Sequence, residues 1–179
     1  MNDFKKDLAW SHSCEDNECW KEIYLKAFPT MQAMHSHKDD GQHQRAGIDR
    51  SIILSNSKQI LVDEKARTIK DTGDIMLEYT SNNRTGTLGW VEKPLLADYI
   101  AYAFIPSGKV YLLPVIQLQA AWKKNKIEWL NKYKIKAAQN QSYETLNCPV
   151  PVAELFKEIG SMLRIDFAIP STATTLPTV

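Results

Sequence analysis

Gly47-Ile-Asp-Arg-Ser-Ile-Ile-Leu-Ser-Asn-Ser-Lys-Gln-Ile-Leu-Val-Asp-Glu-Lys-Ala-Arg67 is the stretch around which the rest of the chain is organised. It has the pattern of a β-hairpin. Residues 48–54 are apolar and β-branched, 55–57 form a short polar turn, and 59–65 return as a second strand. Asp49 falls one residue into the first strand. Asp63 and Lys65 close the second strand two apart, so a period of two puts both side chains on one face, with Glu64 on the other. Charges inside apolar strands cost free energy unless something pairs with them. Two carboxylates and an ammonium gathered at the end of a hairpin suit a hard divalent cation with a lysine beside it.

This arrangement resembles the PD-(D/E)XK nuclease superfamily, in which an Asp on one strand precedes an (Asp/Glu)-X-Lys on the next. Asp49 matches the first acid and Asp63-Glu64-Lys65 the second element, and the likeness covers roughly residues 10–120. Gly-Ile-Asp stands where the pattern's name has Pro-Asp, a variant common among members such as junction resolvases. The resemblance implies an α/β fold: a central mixed β-sheet flanked by helices, with a restriction-endonuclease-like core. It also implies metal-dependent hydrolysis of phosphodiester bonds in nucleic acid, DNA in the first instance. Asp49, Asp63 and Lys65 would be catalytic. Asp49, Asp63 and the main-chain carbonyl of Glu64 would hold Mg²⁺, with Mn²⁺ able to substitute. Members often carry a glutamate on the first helix, and Glu22, nearest that helix's apolar stripe, is the candidate for a further metal ligand. Many relatives are dimers, which leaves a homodimer open. Two rival readings stand beside the nuclease. One is a nucleic-acid-binding module that keeps the fold without cleavage. The other is an accessory or regulatory protein-interaction domain whose charged hairpin end only forms salt bridges.

At 179 residues, 44% hydrophobic and 24% charged, the composition is that of a globular protein. One domain over residues 1–168 is expected, followed by a disordered tail at 169–179 that is poor in charge and rich in Thr and Pro. No apolar run reaches transmembrane length, so no membrane partner is expected. The N-terminal segment lacks the apolar core of a signal peptide, and a cytoplasmic location follows as an expectation. Cys14, Cys19 and Cys148 are odd in number and scattered, against a disulfide framework, and His12, Cys14 and Cys19 lack the second pair that structural zinc needs. A net charge of +1 neither supports nor excludes nucleic acid.

Along the chain, residues 3–28 predict a helix with Glu15, Glu18 and Glu22 on a neighbouring face, where a solvated surface competes with the metal-ligand role of Glu22. Residues 31–44 read as a polar loop with His35, His37 and His43 exposed. Arg45, just before the first core strand, and Arg67, continuing the Lys65 face, are candidate phosphate contacts. Arg50 either does likewise or pairs with Glu64. Residues 74–81 predict a third strand on which Glu78 either pairs with Lys65 or Arg67 or touches the water shell of a metal. A short strand is expected at 89–93, a helix-like segment at 95–102 after Pro94, and a strand at 110–118 that Pro114 makes an edge or bulges. Residues 119–136 predict an amphipathic helix with Trp122, Trp129 and Tyr133 on its packed face. Lys123, Lys124 and Lys126, with Lys132, Lys134 and Lys136 beyond them, stand there against the single acid Glu128, a basic strip fit for phosphates. Residues 137–142 are expected to loop out before a last helix that starts near Pro151.

Overall fold

The computed structural model describes residues 18–37 and 39–169, with the main chain alone at Glu18 and Gln44. The start of the helix predicted from residue 3, with His12, Cys14 and Glu15, lies outside the described residues, as does the tail from residue 170.

Two β-sheets with helices against them make an α/β architecture. The larger sheet is mixed and runs in the order β1 (Met31–Ser36), β2 (Arg50–Leu54), β3 (Gln59–Arg67), β6 (Tyr99–Phe104), β7 (Lys109–Pro114), β10 (Leu163–Asp166). The smaller is antiparallel, in the order β5 (Thr87–Leu88), β4 (Asp74–Asn82), β9 (Glu144–Pro151), β8 (Lys136–Gln139). Four α-helices, α1 (Glu18–Ala27), α2 (Gly41–Arg45), α3 (Val115–Lys132) and α4 (Val152–Ile159), and a short 3-10 helix at Ile105–Ser107 complete the described chain.

The predicted hairpin is β2–β3, antiparallel with Arg50 opposite Val62 and Ile53 opposite Gln59. Its other edge makes the sheet mixed, because β3 pairs in parallel with β6 from Val62–Tyr99 to Arg67–Phe104. Strand β3 is therefore enclosed by neighbours on both sides, and its two faces meet two different cores. Ile60 and Val62 pack with Cys19, Trp20, Ile23 and Tyr24 of α1. On the opposite face, Ile100, Tyr102 and Phe104 of β6 pack with Ile75 and Leu77 of β4, Cys148 and Val150 of β9, and Trp122 and Trp129 of α3.

Several expectations are corrected by non-local contacts. The predicted loop at 31–44 holds β1 and α2, because Met31 and Met34 pack on the α1 core while β1 pairs with β2. Residues 89–93 form a turn, not a strand, since the Gly89 and Val91 N–H groups tie back to the carbonyls of Tyr79 and Glu78. The helix-like segment at 95–102 gives way to β6: Tyr-Ile-Ala-Tyr-Ala-Phe fills the slot between β3 and β7, where burial overrides helix propensity. Strand β7 stops at Pro114, which has no N–H to continue a ladder and whose φ of −61° leads directly into α3. It lies between β6 and β10, so it is not an edge. Residues 136–139 add to β9 as β8 instead of looping out. Strand β4 is present as predicted but belongs to the second sheet, and β9 and β10 were not anticipated. Among the described residues no helix is long and apolar enough to cross a membrane.

Candidate functional site

The main chain of β3 decides where Asp49 goes. Val62 accepts the Asp49 N–H at 2.9 Å, so its polar groups face β2, whereas Leu61 accepts the Asp98 N–H at 2.7 Å on the β6 side. Two residues past Val62, Glu64 faces the β2 side again, but there the chain has turned away from β3. Its N–H donates to Asp49 Oδ2 at 2.7 Å instead of to a strand. Asp49 thus stands over the middle of β3, which pairs with β6 as far as Arg67 instead of ending at Lys65. It is held by its own carbonyl, which accepts the His37 N–H at 2.8 Å. Gly47 makes the bend possible. It has φ of 70°, and a Cβ there would collide with Leu95 and come within 3.7 Å of Asp63 Oδ2.

Asp63, Lys65 and Asp49 converge at this point. Asp63 is 2% exposed, and its Oδ1 accepts from Lys65 Nζ at 2.5 Å while its buried Oδ2 has no donor. Burial and the Asp63 carboxylate push Asp49 up to about 6, against the pull of the Lys65 ammonium and the Glu64 N–H. Burial pulls Lys65 down, but the charges of Asp63, Asp49 and Glu78 outweigh it and hold its ammonium above the usual lysine range. Two crowded carboxylates, one with an oxygen lacking a donor, call for a proton or a cation between them. Mg²⁺ takes one or two carboxylates and keeps several waters, so these acids with the Glu64 carbonyl, on the side of its N–H, fit it. Among the described residues no group of three or more His, Cys, Asp or Glu side chains is gathered for a metal, so a richer cage is not built here.

Glu22 does not join this site. It accepts from Lys26 Nζ at 2.7 Å and from the Ala168 N–H at 3.4 Å, and α1 packs on the other face of the sheet. What α1 does deliver is Tyr24, whose hydroxyl donates to Glu64 Oε1 at 2.7 Å. Arg50 Nε donates to the same oxygen at 2.6 Å, closing a buried ion pair behind the site.

The candidate phosphate contacts divide. Arg67 lies on the Lys65 face with its guanidinium 5.9 Å from the centre of the Tyr102 ring. Arg45 is exposed at the end of α2, and Lys123 is exposed on α3. Three further lysines of the basic strip are neutralised by acids distant in sequence, whereas Lys134 and Lys136 are exposed beyond α3. Lys124 pairs with Glu158 at 2.8 Å, Lys126 with Glu92 at 2.5 Å and Lys132 with Glu154 at 2.8 Å. Those acids also accept from the packed face: Glu92 from Trp122 Nε1, and Glu154 from Trp129 Nε1 and the Tyr133 hydroxyl. The strip is therefore a seam between α3 and its neighbours more than an open basic surface.

Of the three histidines expected to be exposed, His35 is exposed on β1, but His37 and His43 are engaged. His37 Nε2 lies 2.6 Å from Ser51 Oγ, His43 Nδ1 lies 2.7 Å from Asp40, and the two rings stack at 4.1 Å. The contribution of the 89–96 segment was missed by sequence reasoning. Leu95 backs Gly47, the Leu96 N–H donates to Ala46 O at 3.0 Å, and the turn at Gly89 clamps β4. Gly-Trp and Lys-Pro in this segment are turn signals that favour this arrangement over strand and helix. Compared with known protein families, characterised proteins and solved structures, the chain matches none.

Proposed function

We propose that this chain is a metal-dependent nuclease with a restriction-endonuclease-like core, hydrolysing phosphodiester bonds of nucleic acid, with DNA as the first substrate to test. The observation that carries this reading is the meeting of Asp49, Asp63 and Lys65 on β3, beyond the last residue that pairs with β2, with an Asp63 oxygen that has no donor. Asp49 and Asp63 would hold Mg²⁺, and the Glu64 carbonyl would supply a third protein oxygen. The bound ion would polarise a phosphate oxygen and lower the pKa of its water. Lys65, kept charged by its carboxylate neighbours, acts as a cation: it orients the attacking water and offsets the negative charge that develops on the phosphate. Its side chain is 29% exposed, so a phosphate can approach it from solvent. Arg67, on the same face, is placed to hold the adjoining phosphate.

The test uses supercoiled plasmid and end-labelled single strands with Mg²⁺, Mn²⁺ or EDTA. Metal-dependent cutting that disappears in Asp63→Ala and Lys65→Ala supports the nuclease. Salt-sensitive binding without cutting would assign a binding module instead. Neither cutting nor binding would leave a protein-interaction role.

A further inference from the structure

Glu78 belongs to the second sheet, on a strand that packs against the same face of the larger sheet as the candidate site. The connection runs through Tyr102, which is opposite Lys65 in the β3–β6 register and whose hydroxyl accepts the Met76 N–H at 3.3 Å. Glu78 is two residues further along β4, on the strand face of Met76; Met76 and Tyr79 border the core, and Leu77 is buried within it. Its backbone is clamped from behind. The Val91 N–H donates to Glu78 O at 3.2 Å, and Gly89 packs so close that a Cβ there would collide with that oxygen and lie 2.8 Å from Glu78 Cγ. Burial raises the Glu78 carboxyl, while Lys65, the Ser81 hydroxyl, Lys93 and the Trp90 N–H draw it back. Among the described residues no ion pair within 4 Å joins Glu78 to Lys65, whose contact partner is Asp63 at 2.5 Å.

Lys65 therefore has three carboxylates within its field: Asp63 in contact, Asp49 beside it, and Glu78 standing off on another sheet. The first two are the acids assigned to the metal, which leaves Glu78. The contact occupies Asp63 Oδ1, an oxygen the proposed metal site needs. We propose that Glu78 is a positioning residue that receives the Lys65 ammonium when a divalent cation takes its place on Asp63. The long, partly exposed lysine side chain can make this move without displacing β3, and Glu78, fixed by the Gly89 turn, offers a rigid place to arrive. The inference rests on the metal-dependent reading above and adds to it a partner that lies outside the Asp49–Asp63–Lys65 set.

The experiment is isothermal titration of Mg²⁺ into the full chain as wild type, Glu78→Gln, Lys65→Ala and the double variant, with no nucleic acid present. Glu78→Gln is expected to weaken Mg²⁺ binding about tenfold, and Lys65→Ala to remove most of that sensitivity, the coupling expected of interacting residues. Glu78→Asp, which keeps the charge, should recover at least half of the loss and guards against a folding defect in the amide variant. Equal Mg²⁺ affinity in wild type and Glu78→Gln overturns the inference alone. An undiminished Glu78 effect in the Lys65→Ala background also overturns it, because the acid would then act on the metal directly. Absence of Mg²⁺ binding by the wild type would remove the metal-dependent reading and this inference together.

Discussion

Asp63 and Glu64 are consecutive residues of β3 with side chains that are 3% and 2% exposed, and their surroundings differ in kind. Glu64 faces α1, where the Arg50 guanidinium and the Tyr24 hydroxyl both donate to it. Asp63 faces the second sheet, where one ammonium serves both it and Asp49, and where one of its oxygens has no donor. A buried ion pair with its hydrogen bonds satisfied holds helix to sheet. A buried excess of like charge contributes nothing to folding and persists where a ligand completes it. The strand thus separates framework from the proposed centre by one step along the backbone.

That contrast can be broken most decisively at Asp63. Asp63→Ala should lower Mg²⁺-dependent plasmid cleavage by at least about 10³-fold. The same variant should unfold in urea no more easily than wild type, so a large loss of stability would place Asp63 in the framework. Glu64→Ala should behave the opposite way. It leaves Arg50 buried without its carboxylate, and chemical denaturation should show a loss of about 3–5 kcal/mol.

Asp49→Asn sharpens the comparison through pH. A carboxyl at about 6 in the folded chain, against about 3.9 unfolded, binds more protons folded than unfolded across that interval. Its contribution to stability therefore falls as pH rises through the interval, and its cost is complete above pH 6. The metal-free Asn variant should be more stable than wild type by about 1–3 kcal/mol at pH 7.5, an advantage that disappears near pH 4. Denaturation midpoints measured across this range decide it, and a constant difference would refute the electrostatic cause. The smallest effect is expected on α3. Lys124→Ala with Lys126→Ala should leave the slope of log K for DNA against log salt unchanged, whereas two lost phosphate contacts would remove about 1.8 from it.

What was legible in the sequence was local. Ile52-Ile-Leu, the Ser-Asn-Ser turn and Gln59-Ile-Leu-Val determine the hairpin within twenty residues, and period-two alternation assigns Asp63 and Glu64 to opposite faces. The Trp122, Trp129 and Tyr133 stripe was legible for the same reason, as helical spacing alone specifies it. What escaped was pairing at a distance. The lysines of α3 read as an open basic strip because Glu154 and Glu158 lie beyond two further strands, β8 and β9, in sequence. Glu22 read as a ligand because nothing in its helix says which side of the sheet α1 will cover. Tyr99–Phe104 read as helical because only its neighbours β3 and β7 make it a strand. Glu78 was identified as an acid near the site, but its place on a second sheet depends on β9, more than sixty residues downstream.

The parallel pairing of β3 with β6 separates two kinds of inheritance along the chain. Every acid and amine of the candidate centre, from Asp49 to Glu78, precedes the Gly89 turn, while β6, β7, α3, β9 and α4 follow it. The later half supplies a wall on one side of β3, a glycine that lets Glu78 seat, and a leucine that backs Gly47. Those three requirements are modest. A lineage could vary the outer faces of the distal half, changing what the protein meets, while β6, β9 and the Gly89 turn keep the cluster in place.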